Sequence, residues 1–321
     1  MAKKIAILTS GGDAPGMNAV VRAAVRTAID YGFEVLGVDR GYNGLLNGNL
    51  IPMDLRSVSG IISLGGTKLL TARSPEYNTP EGVQKAAQTC RDNDIFGVVV
   101  CGGDGSFRGA RDLAKAGIQT IAVPGTIDND IASSDYTIGF DTAMNTALEM
   151  IDRLRDTSMS HDRCSVVEVM GRRCGDIALN VGIASGATAI LVPEVEYDFQ
   201  KDVIDKINTA KANGKHSFIV VVAEGIGHVD EIAKEIEKAT GVESRATVLG
   251  HVQRGGIPTL RDRLYGSQLG IEAVKLLNEG KSNRVVVIKD NKIIDLDITE
   301  ALEQERVFDK DLYEAAKILA N

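Results

Sequence analysis

At 321 residues the chain has room for one large domain or two ordinary ones, and its 44% apolar and 25% charged residues exclude the disordered and fibrous classes. A formal charge of −8 argues against a general nucleic-acid or anionic-membrane binder, so an anionic substrate must be held by locally clustered arginines. The four cysteines, Cys90, Cys101, Cys164 and Cys174, form no CxxC pair and no metal-ligand spacing, which reads as reduced structural thiols in a cytoplasmic protein.

Strand-like and helix-like periods alternate along the chain, the pattern of a parallel α/β architecture. Met1-Ala2-Lys3-Lys4 leads directly into a strand without an apolar h-region, so no signal peptide is expected. No apolar stretch approaches the ~20 residues that span a bilayer. The first strand is expected at Ile5–Thr9. A helix follows, with Met17, Val20, Val21, Ala24, Val25 and Ala28 on one face. Further strands are expected at Glu34–Val38, Ile95–Cys101, Ile118–Val123, Cys164–Met170, Ala189–Val192, Ser217–Ala223 and Arg284–Lys289. Helices are expected at Asp141–Asp156, Gln200–Asn213, Asp230–Thr240 and Arg263–Asn278. No low-complexity linker separates two domains, so any boundary crosses folded structure. A strand followed by Gly-Gly-Asp and a helix occurs twice, at Gly11-Gly12-Asp13 and at Gly102-Gly103-Asp104, which puts both turns on one edge of one sheet, facing a shared cleft.

The chemistry-bearing residues lie where strands stop. Thr9-Ser10-Gly11-Gly12-Asp13-Ala14-Pro15-Gly16 opens a helix with glycines, either as a tight connection or as a seat for phosphate at free N–H groups. It lacks the Lys-Ser/Thr ending of a P-loop and the GxGxxG spacing of a dinucleotide fold. Gly102-Gly103-Asp104-Gly105-Ser106 adds a carboxylate among glycines, which suits Mg²⁺ and a triphosphate together, or a structural Asp-Gly turn. Pro124-Gly125-Thr126-Ile127-Asp128-Asn129-Asp130 carries two carboxylates one residue apart. In an extended turn these point the same way, one toward a metal and the other toward a substrate hydroxyl. Arg73, Arg163, Arg172, Arg245, Arg254 and His251 stand near expected strand ends or glycine turns, and guanidinium forks suit sugar phosphates.

These segments, with Val169-Met170-Gly171-Arg172 and Leu249-Gly250-His251-Val252-Gln253-Arg254-Gly255-Gly256, resemble the bacterial ATP-dependent 6-phosphofructokinases in the same order over almost the whole chain. The resemblance implies two doubly wound, mainly parallel-sheet (Rossmann-like) domains facing each other across a cleft. Residues 1–139 and 252–305 would bind ATP, and residues 140–251 and 306–321 would bind fructose 6-phosphate. It implies the glycolytic transfer of the γ-phosphoryl of MgATP to the C1 hydroxyl, giving fructose 1,6-bisphosphate and ADP. On the resemblance, Asp128 is the general base, and Thr126 and Arg172 steady the transferring group or the sugar. Asp104 and Asp130 serve the Mg²⁺ site. Gly11, Arg73, Gly103, Asp104, Gly105 and Ser106 match ATP contacts. Met170, Gly171 and Glu224 match sugar contacts, and His251 and Arg254, joined by Arg163 and Arg245 of a neighbouring subunit in a homotetramer, match the 6-phosphate clamp.

The resemblance also implies an effector site for ADP/GDP or phosphoenolpyruvate, matched by Arg22, Arg26, Arg155 and Lys215. Here the chain departs from the family pattern. Leu55, Thr188 and Asn213 replace an arginine, a glutamate and a lysine, and Arg56 lies one place along; Ser74 stands where an aromatic often follows the arginine. A pyrophosphate-dependent relative is the nearest alternative. Such enzymes carry Asp at position 105 and Lys at position 125, so Gly105 and Gly125 are expected to leave open the space that the α-phosphate of ATP needs. A non-catalytic sugar-phosphate or nucleotide sensor on the same fold would lack the base, the metal carboxylate or the clamp.

Overall fold

A computed structural model describes residues 3–320; Met1 and Ala2, on which the signal-peptide expectation partly falls, and Asn321 lie outside the described residues. The chain divides into two compact units, residues 1–142 with 254–306, and residues 143–253 with 307–321.

The first unit opens with β1 (Lys4–Ser10), α1 (Met17–Asp30), β2 (Glu34–Val38), α2 (Gly41–Asn47), β3 (Leu50–Met53), α3 (Pro80–Asp92), β4 (Ile95–Gly102), α4 (Asp104–Lys115) and β5 (Gln119–Pro124). The chain leaves it as α5 (Phe140–Ser160) begins. The second unit holds β6 (Cys164–Val169), α6 (Asp176–Ala184), β7 (Ala189–Leu191), α7 (Asp205–Ala212), β8 (Phe218–Ala223), α8 (Val229–Thr240) and β9 (Ser244–Val248). Back in the first unit run α9 (Leu260–Asn278), β10 (Arg284–Lys289), β11 (Lys292–Asp297) and α10 (Ile298–Glu303), and α11 (Lys310–Leu319) closes the second. No helix among the described residues is long and apolar enough to cross a membrane.

In the first unit, seven strands are ordered β11-β10-β5-β4-β1-β2-β3. The pairs from β10 through β2 are parallel, and the two edge pairs, β10–β11 and β2–β3, are antiparallel. In the second, four parallel strands are ordered β7-β8-β6-β9. Both sheets therefore belong to the expected α/β class. The central strands are almost entirely buried, largely apolar runs because helices cover both faces. Helix α1 buries the predicted face, with Met17, Val20, Val21, Ala24, Val25 and Ala28 all at 0% exposure. Each unit has its own core, one around Leu8, Val98, Val100 and Phe107, the other around Val166, Phe218, Val220 and Ile236.

Three strands escape the sequence pattern. β3 is a four-residue edge strand carrying Pro52, and β9 is a short edge strand with polar residues. β11 returns from β10 through a two-residue turn, Asp290-Asn291, whose φ values of 50° and 58° match the right-handed twist of a hairpin. The helix expected at Gln200–Asn213 begins as a π-helical turn over Gln200–Ile204 before α7.

Candidate active site

Sheet order in the first unit reverses between β1 and β4, which lie side by side with Ser10 opposite Gly102. Open α/β sheets bind ligands just beyond the carboxyl ends of strands at such a point. The repeated Gly-Gly-Asp turns thus stand on one sheet edge, as the sequence echo predicts. At Gly102 there is no room for a side chain: a Cβ would stand 2.4 Å from the Ser10 carbonyl oxygen and 2.4 Å from Ser106 Oγ.

Helix α4 starts at Asp104 directly after Gly103, and no side chain caps it. Its first N–H groups and the positive end of its dipole are thereby left to an anion or to water. Asp104 is the first helical residue; its carboxylate is 41% exposed and pairs with Arg108 at 2.7 Å. Ser106 is buried, with its Oγ 3.5 Å from where a Cβ on Gly11 would stand. The other glycine turn is held by Thr71, whose hydroxyl donates to the Gly11 carbonyl at 2.8 Å. Asn18 fixes the neighbouring loop by donating to the Leu64 carbonyl and accepting from Lys68 N. Arg73 lies exposed on the segment between them and α3.

The third turn follows β5. Gly125 N donates to the Gly102 carbonyl at 2.9 Å, and a Cβ on Gly103 would touch Thr126 Cβ at 3.8 Å. The Asp104 and Asp128 turns are therefore in contact. Asp128 is only 2% exposed, and its N–H donates to Thr126 Oγ1. One expectation needs correction here. Asn129 adopts a left-handed conformation (φ 51°), so the turn is not extended, and simple alternation does not align Asp128 with the half-buried Asp130. The two glycines differ in their room for a side chain: nothing lies within 4 Å of a Cβ on Gly105, whereas one on Gly125 would stand 2.7 Å from Cys101 Sγ and 3.1 Å from Met17 Cε. Arg254 belongs to this unit too, with its guanidinium against Gly12 and a bond to the Asp13 carbonyl at 3.2 Å.

In the second unit, the carboxyl ends of the adjacent strands β8, β6 and β9 carry Glu224, the Met170-Gly171-Arg172 turn and, one turn on, His251. Gly171 has φ 138°, and a Cβ there would stand 2.5 Å from the Cys174 carbonyl oxygen, so only glycine fits. Arg172 is itself left-handed (φ 55°), a conformation costing a non-glycine residue about 1 kcal/mol, and its N–H donates to Glu224 Oε2 at 3.0 Å. Its side chain, like those of Glu224 and His251, is exposed, while Met170 is buried. Gln253, fully buried, accepts from Met170 N at 2.8 Å and holds the turn from behind. Burial, then the nearby Glu224 charge, pushes the Glu168 carboxyl up. Arg163 and Arg245 converge on one carboxylate, Glu243, and their hydrogen bonds, Arg163 first, hold it below the usual carboxylate range.

The expected effector residues fall in both units. Arg22 and Arg26 lie one helical turn apart on α1. Arg155 donates to the Ser185 carbonyl, and Lys215 donates to Thr188 Oγ1 at 3.1 Å; burial, then the Arg155 charge, lowers the Lys215 pKa. Among the described residues no three His, Cys, Asp or Glu side chains gather to cage a metal. Mg²⁺ is ordinarily held by one or two carboxylates plus substrate phosphates and water. The half-buried Asp104 at an uncapped helix start, with Asp130 two residues beyond Asp128 in the contacting turn, supplies donors of that kind.

A glycine-lined switch point with a buried carboxylate in the adjoining turn defines a phosphate-handling α/β enzyme scaffold. The phosphofructokinase family model matches residues 4–277, and the chain belongs to that family. It is 58% identical over 318 residues to the ATP-dependent 6-phosphofructokinase of Clostridium tetani, covering 99% of both chains. It is 57% identical, with the same coverage, to that of Clostridium botulinum. Among solved structures, phosphofructokinase from Saccharomyces cerevisiae superposes with a TM-score of 0.88 at 35% identity, over 99% of this chain and 46% of the yeast one. A pyrophosphate-dependent phosphofructokinase from Marinobacter aquaeolei shares the fold (TM-score 0.85, 99% and 91% of the two chains) at 22% identity.

Proposed function

We infer that this chain is an ATP-dependent 6-phosphofructokinase. The reading is carried by the buried Asp128 in a turn that touches the uncapped Gly103–Asp104 start of α4, so that a proton acceptor adjoins a phosphate seat. The C1 hydroxyl oxygen of fructose 6-phosphate attacks the γ-phosphorus of ATP. As the new O–P bond forms and the bond to the β–γ bridging oxygen breaks, the hydroxyl proton passes to Asp128 and ADP leaves. A carboxylate suffices as base because the loose transition state asks little of the nucleophile. Bound Mg²⁺, held by Asp104 and Asp130 with the phosphates, would neutralise charge on the β- and γ-oxygens.

The first unit binds ATP through Gly11, Arg73 and Gly103–Ser106, and the second binds the sugar through Met170, Gly171, Arg172 and Glu224. His251 and Arg254, with Arg163 and Arg245 of a neighbouring subunit in a homotetramer, hold the 6-phosphate. Binding energy spent there, remote from C1, aligns the attack. Thr126 and Arg172 steady the transferring group. An anionic effector, a nucleoside diphosphate or phosphoenolpyruvate, engages Arg22, Arg26, Arg155 and Lys215, and the protein works in the cytoplasm.

Asp128→Asn keeps the size of the side chain and removes the base. The expected result is a kcat lower by about 10²–10⁴-fold, with KM for fructose 6-phosphate little changed. A folded variant retaining more than about half the wild-type kcat would remove Asp128 from the role.

A further inference from the structure

Asp262, in the first turn of α9, is fully buried and was not singled out by the sequence. Its carboxylate accepts from four donors, all on the segment 136–142. Oδ1 accepts from Tyr136 Oη at 2.5 Å and Gly139 N at 2.7 Å. Oδ2 accepts from Thr142 N at 2.9 Å and Thr142 Oγ1 at 2.5 Å. Thr142 Oγ1 accepts in turn from Thr259 N at 3.0 Å, which locks the start of α9 to the same point. The Tyr136 ring is clasped by Tyr265, with centroids 5.0 Å apart, and by the Arg261 guanidinium at 4.6 Å.

The clamped segment is also the partner of the Asp128 turn. Thr137 Oγ1 donates to the Thr126 carbonyl at 2.7 Å, and Ile138 N donates to the Pro124 carbonyl at 3.0 Å. An unbroken set of bonds and short covalent steps therefore joins Asp262 to the residues flanking Asp128. A helix start needs a carboxylate only near its first N–H groups, and such a group is ordinarily wet. Full burial is tolerated here because every acceptor site is aimed at a donor, and those donors belong to a different element.

We propose that Asp262 is a positioning residue, whose buried carboxylate clamps residues 136–142 and through Thr137 and Ile138 fixes the turn that presents Asp128. The proposal rests on the reading of Asp128 as the base, but its structural half is separable. Each carboxylate oxygen faces one backbone N–H and one hydroxyl. The hydroxyls can turn to accept, whereas the backbone N–H groups cannot. An asparagine at 262 must therefore point its NH₂ at Gly139 N or at Thr142 N, whichever way it is flipped. The clamp opens in either case.

Wild type, Asp262→Asn, Tyr136→Phe and Asp128→Asn are compared by kinetics with ATP and fructose 6-phosphate and by amide hydrogen exchange of the intact protein. For Asp262→Asn, kcat should fall by about 10–100-fold with both KM values within about threefold, the signature of a displaced catalytic group. Exchange across residues 124–138 should accelerate at least about tenfold while β4 stays at its wild-type rate. Tyr136→Phe removes one donor and should show the same pattern more weakly, which keeps the test intact if Asp262→Asn does not fold. Asp128→Asn should lose activity with unchanged exchange over 124–138; if it stays active, the base assignment fails while the exchange data still test the clamp. Wild-type exchange over 124–138 in both clamp variants, or an acceleration spread evenly over the whole first unit, would overturn the proposal.

Discussion

A methyl group added at Gly105 meets no atom within 4 Å, whereas one added at Gly125 stands 2.7 Å from the sulfur of buried Cys101. The sequence makes these two glycines look alike, each beside a carboxylate turn. The fold separates them, because Gly105 lies in the first turn of α4 and Gly125 continues a central strand against its neighbour. Gly105→Ala should therefore leave stability unchanged or raise it by up to about 1 kcal/mol, the helix preference for alanine over glycine. Gly125→Ala should lower it by about 1–3 kcal/mol through overpacking. Urea unfolding of the two variants beside wild type measures both; equal midpoints would contradict the packing described here. At this scale, sequence reasoning finds residues whose chemistry is displayed in a strand-end motif, such as Asp104 and Asp128. It misses Gln253, Thr71 and Asp262, which act by hydrogen bonds that only the tertiary fold brings together.

Elements were legible wherever one periodicity ran long enough. The buried strands β4, β5, β6 and β8 are rich in β-branched residues, and α1 has one unbroken apolar face. The edge strands β3 and β9 offer few residues and mixed exposure, so no pattern develops. Helix α3 has a local signal instead: Thr79 Oγ1 accepts from Gly82 N at 3.1 Å, with Pro80 as the first helical residue. Thr79→Ala should destabilise the first unit by about 1 kcal/mol, and Thr79→Ser should restore most of the loss. Denaturation curves for the pair check this, and an alanine variant as stable as wild type would mean the cap contributes nothing. The Asp128 turn was the least legible element, because the left-handed Asn129 breaks the alternation that an extended reading assumes.

For the whole molecule, the order of motifs along the chain carried more than any single turn. Each glycine segment alone admits a structural reading, and it is their sequence along two mainly parallel sheets that excludes coincidence. The two units are built from segments distant in sequence, residues 1–142 with 254–306 and 143–253 with 307–321, which no linker announces. Membership of the phosphofructokinase family and 58% identity to an ATP-dependent member converge on one chemistry. The choice of phosphoryl donor rests on the open face of Gly105 as well as on that likeness. The most direct test is a coupled assay for fructose 1,6-bisphosphate on the purified protein, with fructose 6-phosphate and Mg²⁺, and either ATP or pyrophosphate as donor. Product should form with ATP, at a rate at least about 100-fold above that with pyrophosphate, a difference of about 2.7 kcal/mol in transition-state stabilisation. A pyrophosphate rate equal to or above the ATP rate, or a folded protein inactive with both donors, would contradict the account.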